Sequence, residues 1–144
     1  MMARLPRFDV PGYTQHVIQR GNNRGIIFVG DEDYEFYLMK LGEACRKYQC
    51  DLHAYVLMTN HVHLLMTSHL TGGVGKVMQM LGRYYVQYFN HQYNRTGTLW
   101  EGRYKATLRD SEQDLFGWSR DIEMNPARAG RVKHPADSPW TSYR

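Results

Sequence analysis

Apolar and polar positions along the chain follow two periods, and each stretch favours one of them. Tyr13 to Gln19 (Tyr-Thr-Gln-His-Val-Ile-Gln) alternates and is rich in β-formers, which predicts a first strand. The short apolar run Ile26–Val29 predicts a brief second one. Phe36, Leu38, Met39, Leu41, Ala44 and Cys45 then recur at roughly helical spacing through about Tyr48, with Asp31 as N-cap and acids in the first turn. Between 51 and 67, two apolar-rich segments are parted only by Thr59-Asn60, the pattern of a hairpin. Thr71–Gly75 reads as a turn, and it lacks the Lys-Ser/Thr ending of a phosphate-binding P-loop. Val77, Met78, Leu81, Tyr85, Tyr88 and Phe89 mark a second helix within Val74–Tyr93, broken at Asn94–Gly97. Leu99–Leu108 reads as a further strand. Ser111 with Asp114 suggests the cap of a third helix ending near Met124, because Pro126 disfavours helical geometry at the residue before it.

The order β-α-β-β-α-β-α predicts an α+β fold, a ferredoxin-like antiparallel sheet with helices packed on it. The chain, at 144 residues, is sized for one domain with one core, residues 1–144. Residues 1–12 form an irregular arm and residues 127–144 an irregular tail in this reading.

Charge adds more through its distribution than through its total of +4. Arg4, Arg7, Arg20 and Arg24 face only Asp9 in the first 25 residues, whereas residues 31–43 are mostly acidic. Arg103, Lys105 and Arg109 form a basic strip with Tyr104 among them. Basic strips with interleaved tyrosines suit a phosphate backbone and stacked bases, and a solvated surface gives the same pattern. Cys45 and Cys50 are the only cysteines, without a CxxC spacing, and read as reduced thiols. No apolar run approaches membrane-spanning length and no signal peptide opens the chain, so a cytoplasmic protein without membrane association is expected.

The chemistry centres on His61-Val62-His63. On a strand, alternate side chains share a face, so both imidazoles lie together with Val62 and Leu64 opposite. Such a pair can grip a cation; it is also a common arrangement of ordinary half-buried histidines. Arg20-Gly-Asn-Asn-Arg-Gly25 packs amides and guanidinium groups into a polar loop, which serves equally as a plain turn or as a nucleic-acid contact.

Several separated stretches share one resemblance. Asn60-His-Val-His-Leu-Leu65, Gly97-Thr-Leu-Trp-Glu-Gly-Arg-Tyr-Lys105 and Ile122-Glu-Met-Asn-Pro-Ala-Arg-Ala-Gly130 resemble the REP-associated tyrosine transposases, single-stranded-DNA endonucleases named for a His-hydrophobic-His motif. His16–Arg24 and Ser138–Tyr143 are similar too, so the resemblance runs from about residue 12 to 144. It implies that His61, His63 and the amide oxygen of Asn125 hold a divalent cation, Mg²⁺ or Mn²⁺, at a scissile phosphate. It further implies a DNA partner carrying REP-type hairpins, and a monomer or homodimer. Arg20, Asn22, Asn23, Arg24, Arg103 and Lys105 would contact DNA, with Tyr104 stacking.

The family attacks DNA with a tyrosine one helical turn before the asparagine, forming a 5′-phosphotyrosine. Here that position is Asp121, on the same helix face as Asn125 by its i, i+4 spacing. A carboxylate would give a hydrolysable acyl phosphate, so strand transfer is expected to be impaired. Tyr84, Tyr85, Tyr88, Tyr104 and Tyr143 are possible substitutes, each with an alternative role in the core or in base stacking. Two further readings stand beside the transposase: a non-catalytic hairpin-DNA-binding protein, and a metal-dependent nuclease in which His61, His63 and Asp121 activate water.

Overall fold

The computed structural model describes residues 11–109. The third helix expected over 111–124, the substitute Tyr143 and the irregular tail lie outside them. The elements run β1 (Thr14–Arg20), α1 (Asp31–Lys47), β2 (Cys50–Met58), β3 (His61–Ser68), α2 (Gly73–Gln92) and β4 (Lys105–Arg109). The four strands form one antiparallel sheet in the order β2-β3-β1-β4, the ferredoxin-like arrangement. β3 is central, and its partner in the hairpin, β2, is an edge.

Alternation divides the sheet into two unlike faces. Val17, Val62, Leu64 and Met66 point to the side where α1 and α2 pack, joining Tyr37, Leu41, Val77, Leu81 and Tyr85 in the main core. The other face carries a smaller apolar cluster, Ala54, Val56, Met58 and Leu65. β2 serves both faces because its register shifts between Leu52 and Ala54. Leu52 lies opposite Met66 and Ala54 opposite Leu65, so His53 is the extra residue of a β-bulge.

α1 is set by its tyrosines more than by the expected stripe. Tyr34, Tyr37, Leu41, Ala44 and Cys45 are buried, whereas Met39 is 49% exposed. The cap also differs from expectation. Gly30, not Asp31, is the N-cap, and Asp33 reaches back so that its Oδ2 accepts the N–H groups of Val29 (2.7 Å) and Gly30 (3.2 Å). Tyr88 of α2 and Tyr93, which caps its C-terminus, donate their hydroxyls to the same carboxylate, at 2.7 and 2.6 Å, tying the two helices together. Burial opposes ionisation of Asp33, but these hydrogen bonds outweigh it and hold the carboxyl below its ordinary range.

Of two expected strands, one is absent and the other is shorter than its pattern suggests. Ile26–Val29 is a loop: Ile27 and Phe28 are buried, and their N–H groups both turn to the Thr59 carbonyl instead of entering a ladder. From Leu99 to Tyr104 the chain bends through Gly102 at φ 65°, meeting β1 only in an isolated bridge between Gly21 and Trp100. Regular pairing starts at Lys105. α2 begins at Gly73, where a Cβ would collide with Ser68 Oγ, so only glycine lets the helix start this close to the end of β3. Cys45 and Cys50 are buried free thiols, and burial pushes the Cys45 thiol up to about 12.

Candidate functional site

β3 places His61 and His63 on the sheet face turned away from α1 and α2, with Val62 and Leu64 opposite. Their rings stand edge to face, with centroids 4.9 Å apart. The Nδ1 atom of each ring has a polar neighbour. Asn60 Oδ1 lies 2.8 Å from His61 Nδ1, which donates to it. His63 Nδ1 lies 3.0 Å from His16 Nε2, and those two rings stack at 5.3 Å. Burial first, and then the neighbouring His61 ring and Arg20 guanidinium, depress the His63 pKa to about 4. His63 is therefore a neutral imidazole at physiological pH, the form that donates a lone pair.

The antiparallel register then brings charge to this pair. Arg20 lies directly opposite His61, and Ile18 opposite His63. β4 pairs on the far side of β1, with Lys105 opposite Ile18. Arg20 and Lys105 share the histidines' face by strand alternation. With Arg24, Asn60, Glu101 and Arg103 they line an open cavity of about 530 Å³ that includes His61.

The loop after β1 is fixed by backbone contacts on three sides. The Gly21 N–H donates to the Asn60 carbonyl (2.9 Å), the Asn22 N–H to Leu99 (2.8 Å), and the Glu101 N–H to Arg20 (2.8 Å). A Cβ on Gly21 would collide with the Gly25 carbonyl oxygen and lie 2.9 Å from Ile27 Cγ2. The loop thus closes on itself only with glycine there. Asn22–Arg24 form a short 3-10 turn in which Asn23 (φ 55°) and Arg24 (φ 57°) adopt left-handed backbone. For an arginine this costs on the order of 1 kcal/mol, and it directs Arg24 into the cavity.

The structure gathers Arg20, Arg24, Arg103, Lys105 and His61 around one cavity, with His63 beside His61. Asn22 and Asn23 sit on the exposed turn and do not line it. Tyr104 is 8% exposed and packs in the main core, away from this cavity. It borders a different cleft of about 600 Å³, shared with Gln19, Trp100 and the glycine-rich start of α2. Asp121 and Asn125 lie outside the described residues. Among those residues, no group of three or more His, Cys, Asp or Glu is arranged to hold a metal ion.

Of the substitute tyrosines, Tyr84, Tyr85 and Tyr88 belong to α2, which packs on the face opposite the histidines, and Tyr143 lies outside the described residues. Tyr85 is fully buried and donates to the Ile27 carbonyl, Tyr88 donates to Asp33, and Tyr84 lies under the Lys40 ammonium of α1. Three residues of the site, His16, Asn60 and Glu101, were not singled out by sequence reasoning. Alternation along β1 does put His16 on the face of Ile18 and Arg20, but the pairing with β3 was needed to bring it to His63.

A family model described as IS200-like transposase matches residues 9–115. Among solved structures, a REP-associated tyrosine transposase bound to a REP hairpin is similar, with a TM-score of 0.77 and 19% identity. That match covers 99% of this chain and 83% of the other. A structure described as a transposase from Deinococcus radiodurans R1 is similar at a TM-score of 0.56 and 24% identity, over 83% of this chain and 95% of the other. A search of curated proteins finds no significant match.

Proposed function

Because the chain belongs to the IS200-like transposase family, we propose that it is a metal-dependent single-stranded-DNA endonuclease domain that binds REP-type hairpins and is impaired in strand transfer. The observation that carries this reading is the placement of His61 on the wall of a cavity lined by Arg20, Arg24, Arg103 and Lys105. Cations of that density, beside a pair of imidazoles, suit a phosphodiester held at a cation. The DNA hairpin in the similar solved structure supports the choice of partner.

The donor set fits a divalent cation. His63 is neutral, the His61 Nδ1–H donates to Asn60 and leaves its lone pair at Nε2, and by the family resemblance Asn125 would add an amide oxygen. Two imidazoles with oxygen ligands accept Mn²⁺ and tolerate Mg²⁺. When bound, the cation supplies Lewis acidity at the scissile phosphate. The arginines and Lys105 grip the flanking backbone and fix its register.

Position 121 decides the outcome. A tyrosine oxygen there would attack phosphorus, release the 3′-oxygen and remain as a stable 5′-phosphotyrosine. The Asp121 carboxylate would form a mixed anhydride that water opens, so energy for rejoining is lost. Asp121 thus also favours a second reading, a hairpin-binding protein that does not cut.

A denaturing-gel assay on an end-labelled REP-type hairpin with Mg²⁺ or Mn²⁺ tests both. The native chain should bind without forming an adduct, Asp121→Tyr should form a covalent protein–DNA adduct, and adding His61→Ala to it should abolish that adduct. An adduct from the native chain would refute the assignment of position 121. Cleavage by the native chain without an adduct would point to water as nucleophile.

A further inference from the structure

We propose that His16 is a positioning residue for His63, fixing which ring nitrogen His63 offers to a cation. The inference rests on the metal reading above and adds a residue to it. Three observations carry it. His16 Nε2 and His63 Nδ1 are 3.0 Å apart, in hydrogen-bonding contact. Their rings stack at 5.3 Å with planes 22° apart, so His63 is held in orientation as well as in tautomer. The strand register produces the contact: Ile18 faces His63 directly, and His16 is its diagonal neighbour two residues along β1, within reach of a long side chain.

The consequence follows from imidazole chemistry. A neutral imidazole carries one proton, on one of two nitrogens. With Nδ1–H of His63 donating to His16 Nε2, the lone pair of His63 sits at Nε2. His16 must then carry its own proton at Nδ1. His61 already shows the same device with a different partner, its Nδ1–H donating to Asn60. Both histidines of the pair are thereby set to offer Nε2. Histidines that ligate metals are commonly held in this way, and loss of the orienting partner typically lowers affinity by about 10- to 100-fold.

Two measurements on the 144-residue chain test the inference. Long-range ¹H–¹⁵N correlation spectra, recorded without metal, report the tautomer of His63. Mn²⁺ titration, followed by the loss of free-ion EPR signal, reports affinity. The native protein should show His63 protonated at Nδ1. His16→Phe keeps a flat ring but no acceptor; it should shift His63 toward the Nε2–H tautomer and weaken Mn²⁺ binding by about 10-fold or more. His16→Gln retains an acceptor oxygen and should restore the native tautomer and most of the affinity, which a filler of space would not do.

An unchanged tautomer and unchanged Mn²⁺ affinity in His16→Phe would overturn the inference and leave the metal reading intact. Failure of the native protein to take up Mn²⁺ would overturn the metal reading, and the inference with it. Should His16→Phe not fold, His16→Gln and His16→Asn decide: equal loss in both, despite native thermal stability, would refute an acceptor role.

Discussion

Asp33 concentrates more of the fold than any other polar side chain described. It caps α1 and receives the hydroxyls of Tyr88 in α2 and Tyr93 at that helix's C-terminal cap, all while buried. Its carboxyl is held below the ordinary value of 3.8, so its contribution is present in full above that value and is lost as pH falls through the lower, folded value. Asp33→Ala should therefore cost about 3 kcal/mol at neutral pH by urea unfolding, and the gap from the native protein should narrow as pH falls below 3.8. Gly21→Ala should cost roughly 1–3 kcal/mol from collision with the Gly25 carbonyl. It should also weaken hairpin binding, because the turn carrying Arg24 shifts with it. The histidine pair was legible in the sequence because a strand's period of two puts positions 61 and 63 together without knowledge of the rest. His16 was not: its contact spans 47 residues, and no local period encodes a diagonal across a ladder.

The hairpin and both helices were legible because each has a strong period and a turn or break at its ends. The misses have separate physical causes. Tyr34 and Tyr37 were left out of the helical stripe because tyrosine counts as both apolar and polar, although here the rings bury completely or nearly so. Ile26–Val29 has strand composition, but Thr59 captures its N–H groups. The bulge at His53 is invisible in a segment where apolar residues stand on both faces. Its presence yields a counter-intuitive expectation. Deleting His53 leaves Leu52 opposite Met66 and Ala54 opposite Leu65, so every later side chain of β2 keeps its face. Thermal unfolding should show the deletion to be tolerated, at a cost of about 1 kcal/mol from the lost His53–Thr67 hydrogen bond. Deleting Leu65 from β3 should prevent folding, since it turns one half of that strand over.

Taken over the whole molecule, the sheet separates two tasks: α1 and α2 seal one face, and charge collects on the other. The +4 total understates this, because three acids gather at the first turn of α1 while Arg20, Arg24, Arg103 and Lys105 meet at one cavity. No described helix is long and apolar enough to cross a membrane. Binding to a labelled REP-type hairpin should fall steeply with salt. Arg103→Ala should lower the slope of log affinity against log salt by about 0.7, as for one phosphate contact on a single strand, measured by fluorescence anisotropy across a KCl series. The same change should leave thermal stability unaltered, since Arg103 is exposed. The register that sets Arg20 against His61 also determines how such a protein fails. A slip of β3 by one residue would bury both histidines at once and turn Val62 and Leu64 toward the basic cavity, with no intermediate alignment. Damage to the β1–β3 ladder should accordingly split the sample into molecules with a whole site and molecules with none, and titration would reveal fewer sites of undiminished strength.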